Sequence, residues 1–211
     1  MDRFLVDGPV RAPLTLVLAH GAGAPMDAPF MDAMAAGIAA SGFRVLRFEF
    51  PYMRARRDEG RRKPPDREPV LRASWLEAIA EAAGKKGASS VAIGGKSMGG
   101  RIASMVADET GVAGLVCLGY PFHPPGQPEK LRVAHLERLK TRTLIVQGER
   151  DAFGTREEVA RYPLSKAIRI LFLADGDHSF KPRASSGRTP EQNLSEAIAV
   201  VNEFLASLRS S

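Results

Sequence analysis

The apolar positions of this chain fall into short continuous runs, separated by stretches of helical spacing. "LTLVLAHG" (14–21) is almost wholly apolar and ends on glycine, which predicts a strand buried on both faces. Residues 27–41 carry Phe30, Met34 and Ile38 at helical spacing among small alanines. "FRVLRFEF" (43–50) predicts the next strand, stopped by Pro51, and a basic, proline-rich loop follows it. A helix is expected over 69–84, around Trp75, Leu76 and Ile79, and a short strand at "SSVAIGG" (89–95). Beyond it come a helix (98–109), the strand "VAGLVCLGY" (112–120), the loop "PFHPPGQPEK" and the strand "TRTLIVQG" (141–148). Thr155 and Glu158 make a capping box for a short helix, and "AIRILFLAD" (167–175) is the last clear strand. Thr189-Pro190-Glu191-Gln192 combines a capping box with proline at the first helical position, so a helix should run from there to about Leu208.

Six strands alternating with helices predict an α/β fold: a mostly parallel, doubly wound sheet covered on both faces. "RFLVDG" (3–8) adds a candidate antiparallel edge strand. With no internal repeat and no linker, residues 1–211 are expected to form a single domain. Ligands of such sheets sit at the carboxyl ends of the strands, so chemistry is sought just after each strand.

"AIGGKSMGGR" (92–101) follows one strand and admits two chemistries. Gly95-Lys96-Ser97 could end a phosphate-binding loop, which requires G-x-x-x-x-G-K-[ST]. The first glycine of that pattern would fall at Ser90, and Val91-Ala92-Ile93 reads as strand, so the pattern is broken. Gly95-Lys96-Ser97-Met98-Gly99 also reads as G-x-S-x-G, a strand-turn-helix that exposes a nucleophilic serine. Gly95 and Gly99 remove Cβ atoms beside the strained turn, Gly100 lets the helix approach the sheet, and the helix dipole points its positive end at the site.

A serine hydroxyl needs a base. In strand-turn-helix hydrolases the chain order is serine, acid, histidine. Of four histidines, His178 in "ADGDHSF" lies right after the last strand. Asp151 in "TLIVQGERDAF" is the expected acid, with Glu149 as runner-up; Asp175 and Asp177 are neighbours that could orient His178 instead. The backbone N–H groups of Met98 and of Ala22, in "AHGAG", are the expected oxyanion donors, and His20 is expected to brace that loop.

Together "HGAGAPMD", "GGKSMGGR", "QGERD" and "GDHSF" resemble the small, lidless α/β-hydrolases related to dienelactone hydrolase. More narrowly, they resemble the group that includes the testis-expressed protein family and the hydrolase-like region of a histone-acetyltransferase complex subunit. The resemblance spans about residues 10–206 and, carried over by position, implies Ser97 as nucleophile, Asp151 as acid and His178 as base. Dienelactone hydrolase uses cysteine at the nucleophile position, so its substrate is not carried over.

About twenty residues separate the strands at 120 and 141, which leaves no room for a helical lid. The walls of an open site are expected from Gly21, Met26, Phe30, Tyr52, Met53, Phe122, His123, Phe153 and Phe180, with some of these in the core. Lys96 should point to the opposite face from Ser97. Cys117 reads as a small buried hydrophobe, and Arg101 as either a local anchor or a ligand for an acid group.

Charge and composition refine this picture only modestly. A 44% hydrophobic, 26% charged chain with one cysteine and no apolar run of roughly 18 residues fits a cytoplasmic globular protein without a membrane span. The N-terminal "MDRFLVDGPVRAP" lacks the apolar core of a cleaved signal. The formal charge of +6 concentrates in "RARRDEGRRKPPDRE" (54–68), read either as a solvated surface or as a collar for anionic substrates. Acids interrupt it and no aromatics interleave, so a nucleic-acid partner is not expected. The expected function is a serine esterase or thioesterase acting on a small-molecule acyl ester or thioester, with no metal or cofactor. The alternative is a non-catalytic binding or scaffold protein on the same fold.

Overall fold

The computed structural model describes residues 3–60, 63–84, 87 and 90–210; Arg61 and Arg62 of the basic segment and Ser89 of the strand expected at 89–95 lie outside them. Among the described residues seven strands, β1 (Phe4–Asp7), β2 (Thr15–Ala19), β3 (Arg44–Phe48), β4 (Val91–Lys96), β5 (Gly114–Leu118), β6 (Thr143–Gly148) and β7 (Ile168–Leu173), form one sheet in the order β1-β3-β2-β4-β5-β6-β7. Only β1 runs antiparallel, pairing Phe4 with Phe48 at the sheet's edge. Every other pairing is parallel.

Strand alternation divides the core in two. Val17, Ile93 and Cys117 face α3 (Glu68–Ala83) and α4 (Met98–Thr110), where Trp75, Ile79, Ile102 and Val106 pack. Leu16, Leu18, Ala92 and Val116 face α1 (Pro29–Ala39) and α6 (Pro190–Ser207), meeting Met34, Ile38, Val201 and Phe204. The capping boxes expected at Thr155 and Thr189 are both formed, opening α5 (Arg156–Val159) and α6. Arg47 of β3 ties the edge together, binding Asp7 of β1, Asp32 of α1 and the carbonyl of Met26.

One expected loop is a helix. Residues Pro51–Glu59 form α2, so Pro51 starts a helix as well as stopping a strand. Its fixed φ suits the first helical position, and Gly60 closes the helix at φ 68°. The basic segment is thereby partly neutralised: Arg57 binds Asp27 and the buried Glu49. The strand reading of residues 91–93 holds, which removes the phosphate-loop alternative.

Candidate active site

β4 delivers Lys96 and then Ser97, and α4 leaves at Met98. Ser97 has φ 49° and ψ −113°, a conformation that side chains with a Cβ avoid. Its N–H is held by the carbonyl of Leu118 at 3.0 Å, and its own carbonyl accepts the first bond of α4 from Arg101 at 3.0 Å. The turn fits only because its flanks lack side chains. A Cβ on Gly95 or Gly99 would stand 2.5 Å from the carbonyl oxygen of Ala19. One on Gly100 would meet the carbonyl oxygen of Gly95 at 2.6 Å.

The acid and the base come from the next loops. Asp151 is fully buried, and its Oδ2 accepts a 2.7 Å hydrogen bond from Nδ1 of His178. The same oxygen accepts from Nε2 of Gln147 at 2.9 Å, while Oδ1 accepts from the N–H of Phe153 at 2.9 Å. With Nδ1–H committed to Asp151, Nε2 of a neutral His178 keeps a free lone pair. The Phe153 ring lies against the imidazole, centroids 4.3 Å apart. Asn193 of α6 holds the loop from beneath by donating to the carbonyls of Ala174 and Phe180.

The other carboxylates are occupied elsewhere. Glu149 accepts from the N–H of Asp175 and pairs with Arg156. Asp175 is bound by Arg150 and Arg183, and the hydrogen bonds of Arg183, aided by the charge of Arg150, hold its carboxyl down at about 2. Asp177 caps its own turn by accepting from the N–H groups of Ser179 and Lys181. Of the acids weighed from the sequence, the structure brings Asp151 to His178.

The glycine loop after β2 lies beside the serine: a Cβ on Gly21 would stand 3.7 Å from Cβ of Ser97. His20 is buried beneath this loop. Its Nε2 faces the Phe50 N–H at 3.2 Å and must accept, so Nδ1 carries the proton and donates to the Gly21 carbonyl at 2.6 Å. Burial pushes the imidazole below its usual pKa, which keeps that neutral tautomer. The Tyr52 hydroxyl donates to the Ala22 carbonyl at 2.9 Å. Ala22 itself is exposed at the loop tip, and Met98 opens α4, where a backbone N–H has no carbonyl one turn earlier to bond.

Several of the expected wall residues are buried. Phe122 is fully buried against Tyr120 and Tyr162, because the chain after β5 turns inward. His123 is buried too, its Nδ1 on the Pro124 carbonyl and its Nε2 3.4 Å from Glu158. Met26 and Met53 lie in the core, Met26 with its carbonyl held by Arg47. Tyr52 is buried and serves the glycine loop through its hydroxyl. Gly21 is buried at the serine and Phe153 remains half-exposed at the histidine. Phe180 is buried and packs edge to face on the half-buried Phe30 at 5.4 Å. Cys117 is buried as expected. Arg101 stands 3.8 Å from Glu68.

Gln147 is a further residue of the site. It braces Asp151, accepts from the N–H of Tyr120 and donates to the carbonyls of Tyr120 and Gly154. Its sequence signal was an amide at the end of an apolar strand, since a buried amide has to be satisfied.

The sequence model of the alpha/beta hydrolase domain family matches residues 12–206. This chain belongs to that family. The fold of this chain recurs in solved structures. An alpha-beta serine hydrolase homologue from Coxiella burnetii matches with a TM-score of 0.70 and 18% identity, covering 96% of this chain and 90% of that one. Dienelactone hydrolase from Anabaena variabilis matches at TM-score 0.69 and 20% identity over 96% and 89%. A lidless a/b serine hydrolase from Xanthomonas campestris matches at 0.66 and 17% over 94% and 87%. The hydrolase fold here is lidless as well: between β5 and β6 the only helical element is a short turn at Leu136–Arg138. Among the described residues no helix is long and apolar enough to cross a membrane.

Proposed function

We propose that this protein, as a single domain, is a serine hydrolase that cleaves a small ester or thioester through an acyl-enzyme. The observation that carries the reading is the hydrogen-bonded pair of His178 and the buried Asp151, 2.7 Å apart and presented at the same carboxyl end of the sheet as a serine in a strained turn. In the first step Oγ of Ser97 attacks the acyl carbon while Nε2 of His178 takes the hydroxyl proton. Asp151 fixes the Nδ1–H tautomer and stabilises the imidazolium. The N–H groups of Met98 and Ala22 receive the oxyanion. The tetrahedral intermediate collapses, the carbon–oxygen or carbon–sulfur bond to the leaving group breaks, and His178 protonates that group. Water then repeats the sequence: it gives a proton to His178, attacks the acyl carbon and releases the acid, and the proton returns to Ser97.

Labelling with a fluorophosphonate tests this without a known substrate. Wild type should label, and Ser97→Ala and His178→Ala should not. With a nitrophenyl ester, Ser97→Ala should lower kcat roughly 10⁴–10⁶-fold. A folded wild type that fails to label would refute the reading and favour a binding protein on the same fold.

A further inference from the structure

Lys96 is the covalent neighbour of Ser97, yet strand alternation sends its side chain to the α1 and α6 face of the sheet. There Nζ donates a 2.7 Å hydrogen bond to the main-chain carbonyl of His178. It stands 5.8 Å from the centre of the Phe30 ring and 6.0 Å from that of Phe180, within cation–π range of both. Gly119, after β5, leaves room for this contact. A Cβ there would lie 2.8 Å from Nζ, 3.1 Å from the His178 carbonyl oxygen and 3.3 Å from Cε1 of its ring. The strand that bears the serine, the helix that bears Phe30 and the loop that bears the histidine therefore meet on one ammonium.

Packing alone does not call for a charge here. A methionine would fill the same channel between the rings, and an ammonium loses hydration by entering it. What only a donor supplies is the bond to the His178 carbonyl.

We propose that Lys96 is a positioning residue whose ammonium ties the backbone of His178 to the strand carrying Ser97, fixing the spacing between base and nucleophile. The proposal rests on the serine-hydrolase reading, because it assumes that these two residues react together. A misplacement of about 1 Å between reacting groups costs on the order of 10²-fold in rate, so a tie between their two backbones acts on the chemical step.

A charged donor bonds a carbonyl about twice as strongly as a neutral one, so the tie should slacken when the amine loses its proton. The groups that face it are Asp151 from the loop after β6, Asp177 and His178 from the loop after β7, and the uncharged Phe30 ring from α1. Loss of hydration draws the Lys96 pKa down to about 8, against the opposing pull of the Asp151 and Asp177 carboxylates. Reactivity should then decline on the alkaline side of neutrality.

The test is the rate constant for labelling by an alkyl fluorophosphonate between pH 6 and pH 10, for wild type, Lys96→Arg and Lys96→Met, with Ser97→Ala as blank. Circular dichroism reports folding. The wild-type rate should fall above about pH 8. Lys96→Met should label on the order of 10²-fold more slowly and without that fall. Lys96→Arg should keep at least roughly a tenth of the neutral rate and show no fall below about pH 10, because a guanidinium stays charged. A wild type with no alkaline fall, an arginine variant that keeps it, or a folded methionine variant labelled within about threefold of wild type would each overturn the proposal. The wild-type and arginine profiles decide the matter even where Lys96→Met does not fold. A wild type no more reactive than the Ser97→Ala blank would instead overturn the hydrolase reading beneath it.

Discussion

Strain at the serine turn should appear as stability when the serine is replaced, and a pair of variants isolates it. Ser97→Ala removes the hydroxyl and keeps the Cβ; Ser97→Gly removes both. Their difference therefore reports on the Cβ at φ 49° and ψ −113°. Backbone held in such a region costs about 1–3 kcal/mol, and glycine is free of most of that cost. Against this, glycine gains unfolded-state entropy worth about 0.4–1 kcal/mol. It also loses the burial of a methyl at a half-buried position, about 0.4 kcal/mol, half the value of a fully buried group. The balance leaves Ser97→Gly more stable than Ser97→Ala by about 1 kcal/mol. That is the reverse of the usual order, in which glycine is the weaker of the two. For a chain of this length the gap corresponds to roughly 2–4 °C in Tm. Urea unfolding of both variants, with equal slopes, measures it. A glycine variant less stable than the alanine variant by about 0.5 kcal/mol or more would refute the claim that the turn is strained.

Three further outcomes are expected. Gly148→Ala would place a Cβ 2.3 Å from the Asp177 carbonyl oxygen and 2.4 Å from that of Gly176, wedging apart the loops of Asp151 and His178. Urea melts should show a loss of about 1–3 kcal/mol, and fluorophosphonate labelling should fall with it. Tyr52→Phe removes the hydrogen bond to the Ala22 carbonyl, so labelling should slow several-fold for about 1 kcal/mol of stability; an unchanged rate would separate Tyr52 from the oxyanion loop. Lys96 has a folded pKa of about 8, below its ordinary 10.5. The folded state therefore binds fewer protons between these values, and the burial penalty is full below pH 8 and relieved as pH rises. Lys96→Met should be the more stable protein at pH 7, by at most about 3 kcal/mol, with a gap that narrows toward pH 10 in paired urea melts.

Local patterns, legible along the chain, determined the layers of this protein and the candidate residues of its proposed site. Short continuous apolar runs bounded by glycine, proline and polar turns fit buried parallel strands, so β2 through β7 were readable one by one. The glycines around Ser97 announced a turn that no other residues fit, and the capping boxes at Thr155 and Thr189 announced α5 and α6. The two ends of α2 were written there as well, its start in Pro51 and its close in Gly60, but the charge of the segment between them pointed to a loop. Helix formation by Pro51–Glu59 depends on Tyr52 and Met53 finding a core, and on Arg57 finding Asp27 and Glu49 from other segments. Contacts between distant segments decided the rest. Phe122 and His123 looked like walls after a strand, and only the course of the following chain turned them inward. The choice of Asp151 over Glu149 and Asp175 became geometric once Arg156 and Arg183 had claimed the alternatives. The reach of Lys96 to the His178 carbonyl joins residues 82 positions apart. Hydrophobic period and turn chemistry are carried by neighbours in the chain, whereas the partner of a buried charge is set by which strands lie side by side, and that order emerges only when the sheet is assembled.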